Sequence, residues 1–393
     1  MMISEVSSSL TVEKSIFTGK KLALTIFFDV FILSLLGLIL VMSASSTYSA
    51  LKFDSIFHLF NSHFSKVLIG IFCMLLFSFI PYDIYKDFSK IAIFLTVALL
   101  IVTLFAAPDY KGAGRWLNIY FTSFQPADVA KLVLIIHLSV LLEDKGERLK
   151  NYKHGFLYLF IWIVIISGLI LIQPNISTGI IIVIISLTML YVGGAKLGHI
   201  VTSLFFSLLA GGAIALLLPY SRERIFTYIN SLSNGGDINI QVKQAILGLG
   251  SGGTFGVGLG HSMQSNLFLP EAYGDFIFAI LGEELGFIGS VVIIISYFVL
   301  FISGVLVAKK AKDKFGQLLA FGITFSIIIY AFINVAVSTG LMPTTGLPLP
   351  FISYGGTSII FLCISIGILI NIALSSSNNK IPGLIREKVT EEL

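Results

Sequence analysis

The chain has 393 residues, of which 56% are hydrophobic and only 12% are charged, and its mean hydropathy is +0.96. A soluble globular protein carries roughly twice that share of charge, so the composition excludes an ordinary water-soluble fold and predicts an integral membrane protein. The net charge of +4 is small and spread along the chain, which argues against a nucleic-acid partner.

Ten apolar runs are long enough to cross a bilayer, which takes roughly 20 mostly apolar residues. The first run is too long for the core of a secretory signal peptide, so we interpret it as a retained span. We therefore predict an all-α polytopic fold with about ten transmembrane helices in one domain over residues 22–375, with tails over 1–21 and 376–393. The predicted spans are 22–44, 65–82, 90–108, 126–142, 154–173, 177–194, 197–219, 275–306, 315–339 and 355–375.

Lysine and arginine in the loops predict the orientation, because short cytoplasmic loops are enriched in both. The basic clusters at 145–153 and 309–314 both fall inside only if the N-terminus is also inside. Both termini are then predicted in the cytoplasm. Residues 220–274 form a long extracytoplasmic loop between spans seven and eight, and a shorter outer loop covers 109–125.

The first polar segment is KGAGRWLNIYFTSFQPADVAKL, residues 111–132. Arg115 and Trp116 lie in the outer loop, Pro126 can start span four, and Asp128 and Lys131 are one helical turn apart. One interpretation is an interfacial tryptophan anchor with a local Asp128–Lys131 pair. The other is a basic pocket at the outer surface that suits a phosphate group.

The second polar segment is NLFLPEAYGDFIFAILGEELGFIG, residues 266–289. Glu271 and Asp275 flank the start of span eight, and Glu283 and Glu284 follow two to three turns deeper. One interpretation is that Asp275 caps the helix while the glutamates pair with other spans. The other is that Asp275 is a general base at the rim of a membrane cavity.

The third segment is GLMPTTGLPLPFISYGGTS, residues 340–358, where prolines and glycines interrupt the apolar pattern. Irregular backbone at membrane depth is tolerated where it lines a cavity or packs in protein, and broken segments often mark binding sites. Ser353 and Tyr354 are therefore candidate substrate contacts. GLGSGG at 248–253 matches a dinucleotide pattern, but it has no strand–helix context, so we predict that its glycines allow close backbone packing.

These features fit an enzyme acting on a lipid-linked, phosphate-bearing substrate, or a transporter of such a substrate, and spacing alone does not separate the two. A scaffold without enzymatic activity is a third possibility. Reconstitution with the substrate discriminates the three classes.

The three segments resemble signatures of the SEDS family of bacterial cell-wall proteins (shape, elongation, division and sporulation). GAGRWLN…FQPADVAKL, LPEAYGDFIFAILGEELG and GLMPTTGLPLPFISYGGTS occur in the family's order, and the similarity spans roughly residues 20–375. LPEA and GEELG are closer to division-type than to elongation-type members. Two positions depart from the family pattern. Tyr273-Gly274 stand where His-Thr is usual, and Asn175 stands where Asp is common.

The resemblance implies an inverting peptidoglycan glycosyltransferase that polymerises lipid II, a disaccharide-pentapeptide on undecaprenyl diphosphate, outside the bacterial cytoplasmic membrane. It implies Asp275 as the catalytic residue and a divalent cation, Mg²⁺ or Mn²⁺, with ligands unknown. The expected partners are a class B penicillin-binding protein transpeptidase and divisome or elongasome membrane proteins. An elongation-type polymerase and a lipid II flippase stay open as alternatives. The expected substrate- or diphosphate-binding residues are Arg115, Trp116, Lys131, Glu271, Glu284, Ser353 and Tyr354.

Overall fold

The computed structural model describes the backbone of residues 2–107, 114–119, 122–234 and 239–376. The predicted C-terminal tail beyond residue 376 lies outside the described residues, as do residues 108–113 and 120–121 of the shorter outer loop. The elements in chain order are α1 (Met2–Phe53), α2 (His58–Phe79), α3 (Ile84–Ala106), β1 (Leu117–Ile119), β2 (Thr122–Phe124), α4 (Pro126–Lys145), α5 (Leu157–Ile172), α6 (Ile176–Val192), α7 (Leu197–Leu217), α8 (Pro219–Asn234), α9 (Ile240–Ser251), α10 (Ile277–Lys310), α11 (Lys314–Ser338) and α12 (Ser358–Ser375).

Within the described chain, eight helices are long and apolar enough to cross a membrane. Two more helices match predicted spans by position: α6 has 17 residues, and α4 carries several charged side chains. The all-α polytopic fold is therefore confirmed. The predicted ends are less accurate, because α1 continues to Phe53 and α3 begins already at Ile84, through polar residues that hydropathy alone counts as loop.

The centre of the bundle is formed by α11 and α12, whose apolar stretches are 67% and 72% buried, whereas that of α7 is only 17% buried and lies at the periphery. Helix α12 packs along α2, α10 packs against α11 and α1, and α4 packs against α3 and α11. Polar side chains on the central helices therefore face protein rather than lipid. This arrangement is required when polar groups must find partners at membrane depth.

Residues 220–274, predicted as one long outer loop, contain most of α8 and all of α9. They also contain a glycine-rich stretch, residues 252–264, that packs beside α10. Helix α10 is interrupted at Gly286, which has φ 70°. The stretch uses the backbone groups freed there, since Val257 N donates to Glu283 O and Phe287 N donates to Gly253 O. Gly286 lies nine residues into α10, about 14 Å along its axis. The stretch therefore runs beside the helix instead of extending from its end.

Two glycines make this contact possible. A Cβ on Gly252 would lie 2.0 Å from the Gly282 carbonyl oxygen, and one on Gly256 would lie 2.1 Å from the Glu284 carbonyl oxygen. Both distances are shorter than any van der Waals contact. The prediction that the glycines of this segment allow close backbone packing is confirmed.

Candidate active site

A polar cavity of about 80 Å³ lies where the N-terminal ends of α4, α6 and α12 meet α11. All of these helix ends are on the predicted outer side. The cavity contains three of the predicted site residues, Arg115, Trp116 and Lys131. Its lining is formed by Arg115, Trp116, Gln125, Asp128, Lys131, Asn175, Thr178, Tyr330, Gly346, Leu347, Pro348, Pro350, Ser358 and Leu362.

Lys131 is the buried cation of this cavity, with 9% of its surface exposed. Its Nζ lies 3.9 Å from Asp128 Oδ1 and 4.1 Å from the centre of the Tyr330 ring. The predicted Asp128–Lys131 pair is therefore present, although the separation is too long for a hydrogen bond. Within the described residues, no hydrogen bond of Lys131 Nζ is found, and Asp128 Oδ2 is also without a partner. The ammonium can therefore donate to an anionic ligand in the cavity.

Arg115 and Trp116 connect the first outer loop to the rest of the site. The short hairpin β1–β2 pairs Leu117 with Phe124 and leads into Pro126 at the start of α4. Arg115 Nη2 donates to the Pro174 carbonyl oxygen at 2.5 Å, in the α5–α6 connection. The Trp116 ring packs on Gly356, where a Cβ would approach Cζ3 to 3.0 Å. The first and third signatures are thus brought into contact.

Asp275 is half-buried and lies next to the lining of the cavity, not within it. Its Oδ2 is 3.4 Å from the position that a Cβ would take on Gly346, a residue that lines the cavity and has φ +71°. The N-cap of α10 is Phe276, not Asp275, so the interpretation of Asp275 as the helix cap is wrong. The carboxylate is held beside the basic cavity, which is the arrangement that a general base requires.

The main chain at Asp275 is fixed by two side chains. Asn334, only 1% exposed on α11, donates its Nδ2 to Asp275 O at 2.8 Å and to Leu347 O at 2.7 Å. Ser353 Oγ donates to Gly274 O and accepts from Leu349 N, both at 2.7 Å. Ser353, predicted to contact substrate, instead joins the second and third signatures.

Asn334 was not predicted as a site residue, and neither was Tyr330. A signal was present, because both are polar side chains one turn apart within an otherwise apolar span. Polar residues at that spacing share one helix face. Polar groups inside a membrane span are functional candidates by default.

Glu284 lies away from the cavity, although it was predicted to bind substrate. It is 1% exposed, and its Oε1 accepts from Ser43 Oγ of α1 and from Gly260 N at 3.1 Å. Glu283 beside it accepts from the Ser262 hydroxyl and from Met263 N at 3.0 Å. These contacts assign both glutamates to anchoring the glycine-rich stretch.

Glu271 and Tyr354 lie outside the lining described for the cavity. Glu271 is exposed, at φ +59°, in the turn before Asp275. Tyr354 N donates to Tyr273 O at 2.9 Å, and its ring packs beside His63 of α2. Neither α1 nor α2 contributes to the cavity lining. Tyr354 therefore faces a different surface from Lys131 and Arg115.

The expected divalent cation was tested against the side chains at the site. Among the residues that the structure describes, no group of three His, Cys, Asp or Glu side chains lies close enough to share a metal ion. These side chains alone do not form a complete ligand set. Mg²⁺ is often held by one or two carboxylates together with substrate phosphates. The cation stays a prediction.

The fold and the site define a multi-pass membrane protein with a carboxylate next to the lining of a basic cavity, on the predicted outer side. Residues 23–378 match the model of the family described as cell cycle protein, which is that of FtsW, RodA and SpoVE. The chain therefore belongs to this family, which the sequence signatures identified as SEDS.

Several relatives cover almost the whole chain. The probable peptidoglycan glycosyltransferase FtsW of Geobacter sp. (strain M18) is 35% identical over 348 residues, which are 87% of this chain and 94% of that protein. Stage V sporulation protein E of Bacillus subtilis (strain 168) is 34% identical over 340 residues, 86% of this chain and 93% of that protein.

Solved structures share the fold. A chain from a peptidoglycan synthase complex, studied for its structural coordination of polymerization and crosslinking, matches with a TM-score of 0.73 at 21% identity and covers 90% of this chain and 98% of its own. The rod shape determining protein RodA of Thermus thermophilus matches with a TM-score of 0.66 at 22% identity, covering 88% and 95%.

Proposed function

We propose that this chain polymerises lipid II into glycan strands at the outer face of the bacterial cytoplasmic membrane, with Asp275 as the general base. Glycosyltransferase activity is supported by the family and by the names of relatives about 35% identical over most of the chain. The observation that carries the catalytic assignment is the proximity of the Asp275 carboxylate to Gly346, a residue that lines the cavity holding Lys131 and Arg115.

The reaction uses these groups as follows. The 4-hydroxyl of the acceptor N-acetylglucosamine attacks the anomeric carbon of the donor muramic acid, while Asp275 takes the hydroxyl proton. The bond between that carbon and the diphosphate oxygen breaks, and undecaprenyl diphosphate leaves with the bonding electrons. Attack opposite the leaving group converts the α-linked donor into a β-1,4 linkage. Lys131 and Arg115 stabilise the charge that develops on the diphosphate.

The position of the cavity favours an enzyme over a flippase. It is lined by helix ends on one predicted face, and Asp275 lies beside Gly346 of that lining. Lipid II placed there has its headgroup at the membrane surface and its tail between the helices. This geometry suits chemistry at the lipid–water boundary.

A division role, cytoplasmic termini and a transpeptidase partner complete the proposal. Relatives named FtsW and Stage V sporulation protein E support a division or sporulation role over elongation. The similar chain in a peptidoglycan synthase complex supports a penicillin-binding protein partner. Divisome membrane proteins are expected to join it. The basic clusters at 145–153 and 309–314 support cytoplasmic termini.

Reconstitution in vesicles with labelled lipid II tests the function. We expect glycan polymer from the wild type and none above background from Asp275→Asn. Transbilayer movement of lipid II without polymer would establish the flippase, and neither activity would leave a scaffold. The same assay tests the cation. If Mg²⁺ or Mn²⁺ is required, EDTA abolishes polymer formation and either ion restores it.

A further inference from the structure

Three tyrosines and two lysines form a second polar surface on the predicted outer side, which we call the tyrosine–lysine cluster. Its members are Tyr48 and Lys52 near the end of α1, Lys66 on α2, Tyr273 and Tyr354. The ring centres of Tyr48 and Tyr273 are 5.4 Å apart, and those of Tyr273 and Tyr354 are 5.7 Å apart. All three tyrosines are half-buried, so each also presents surface to the outside.

The two lysines stand at opposite edges of these rings. Lys66 Nζ lies 5.0 Å from the centre of the Tyr354 ring and donates to Ser62 Oγ at 3.1 Å. Lys52 Nζ donates to the Tyr48 hydroxyl at 2.8 Å. The cluster thus combines aromatic faces and hydroxyls with two positive charges. Sugar rings pack on aromatic faces, and phosphates pair with ammonium groups.

Lys66 is the member whose position most needs explaining. It lies eight residues into α2, about 12 Å along the helix from His58. It is half-buried at the outer start of the second predicted span, where a charged side chain needs polar partners. Within the part of the chain that the structure describes, no ion pair joins Lys66 to a carboxylate. Below the cluster, His63 is fully buried against Tyr354, and neither of its ring nitrogens has a partner there.

Tyr273 stays uncharged in this setting. Burial, followed by the negative charge of Glu271, raises the pKa of Tyr273 above the ordinary value of a tyrosine. Its phenol therefore remains a neutral group that can donate a hydrogen bond. A neutral ring does not repel an incoming phosphate, so the positive charges of Lys52 and Lys66 keep their effect.

The cluster is built on the same backbone as the candidate general base. Tyr273 precedes Asp275 by two residues, and Tyr354 N donates to Tyr273 O. Residues 346–348 and 350 of the third signature line the cavity, whereas Tyr354 of the same segment packs on Tyr273 and on α2. Asp275 is therefore two residues from Tyr273 of the cluster, while its Oδ2 lies beside Gly346 of the cavity lining.

Coupling two lipid II molecules brings together two diphosphates, which repel each other and need separate cations. We propose that the tyrosine–lysine cluster binds the sugar–diphosphate headgroup of one lipid-linked substrate while the cavity with Lys131 and Arg115 binds that of the other. This assignment rests on the polymerase function proposed above. It gives Lys66 and Tyr354 a role in binding the second substrate.

Binding stoichiometry tests the cluster without turnover. Asp275→Asn protein in nanodiscs of neutral phospholipid is titrated with fluorescent lipid II, and we expect two headgroups per protein. When Lys66→Gln is added to the Asp275→Asn protein, we expect only one bound headgroup. Lys66→Arg should keep two bound headgroups. The matched control Lys243→Gln, which changes an exposed lysine on α9, should also keep two. Two headgroups on the Lys66→Gln protein would overturn the assignment. If Lys66→Gln protein does not fold, Lys52→Gln replaces it, with weaker binding of the second headgroup expected.

Two further measurements separate lipid II binding from binding of ordinary phospholipid, and separate failure of the cluster from failure of the proposed polymerase function. If equimolar phosphatidylglycerol in the disc displaces the second headgroup, the cluster is an ordinary phospholipid site and the assignment is wrong. In active protein, Lys66→Gln should raise KM for lipid II about ten-fold with little change in kcat. If the wild type is active and Lys66→Gln leaves KM for lipid II unchanged, the role of the cluster is rejected while the polymerase function stands. A wild type that never polymerises lipid II rejects the proposed function instead.

Discussion

Two groups of carboxylates in the second signature have opposite surroundings. Glu283 and Glu284 are almost fully buried, and each accepts hydrogen bonds from side chains and backbone N–H groups of neighbouring segments. Asp275 is half-buried, its Oδ2 lies next to Gly346 of the cavity lining, and its main-chain carbonyl accepts from Asn334. Both oxygens of Glu283 accept from protein donors, so this carboxylate has few lone pairs left for substrate, whereas Oε2 of Glu284 has no hydrogen-bond partner among the described residues.

The difference in surroundings distinguishes carboxylates with a structural role from the proposed catalytic carboxylate, which sequence spacing does not. All three lie within ten residues of one another at the start of an apolar helix. Only the structure shows that a glycine-rich stretch is anchored by two of them. If this comparison is right, substitutions of Asp275 and its cavity partners change turnover, whereas substitutions of the glutamates change stability.

The largest expected effect comes from Asp275→Asn. The amide keeps the size of the side chain but cannot take the proton, so polymerisation should fall by about 10²–10⁴-fold, the usual contribution of general-base catalysis. Thermal unfolding in detergent should match that of the wild type. Glu223→Gln removes an exposed carboxylate on α8 and serves as the matched control, with activity close to that of the wild type. Normal turnover by Asp275→Asn protein would refute the catalytic assignment.

The next effect concerns the buried pair in the cavity. Lys131→Met leaves Asp128 buried without its cation, which typically costs about 3–5 kcal/mol in stability, and it also removes a charge that stabilises the leaving diphosphate. The double variant Asp128→Asn/Lys131→Met should recover the melting temperature but not the activity, which stays at least ten-fold down. Recovery of both in the double variant would limit Lys131 to a structural role.

Much of this organisation follows from the sequence, and the remainder depends on contacts between distant segments. Apolar length predicts the spans, and the first two polar signatures predict Arg115, Lys131 and Asp275 as site residues. The roles of Ser353 and Glu284 could not be predicted, because their partners Gly274 and Ser43 lie 79 and 241 residues away. The helices within 220–274 were missed because glycine and polar residues there carry no clear spanning pattern.

Asn334→Ala tests whether the main chain at Asp275 needs its support. The alanine removes both hydrogen bonds that join Asp275 O and Leu347 O to α11. Because a small misplacement of a catalytic group lowers the rate strongly, we expect kcat to fall about ten-fold with KM for lipid II nearly unchanged. A purely structural role would lower the melting temperature and the yield while the folded protein kept its kcat. Steady-state kinetics on freshly purified protein distinguish these outcomes.

The smallest effect on turnover is expected from Glu283→Gln, which changes one of the two glutamates that anchor the glycine-rich stretch. Met263 N donates to Oε1 at 3.0 Å and Gln264 N to Oε2 at 3.3 Å, so the amide NH₂ group of the glutamine must face one of these two backbone donors. Leaving buried donors unsatisfied costs about 1–3 kcal/mol, so the melting temperature should fall and proteolysis within the glycine-rich stretch should increase. Folded Glu283→Gln protein should polymerise lipid II within about two-fold of the wild type, since its side chain does not reach the cavity. A variant with normal stability and no activity would mean that Glu283 takes part in the chemistry, and the distinction between saturated and cavity-facing acids would fail for this family member.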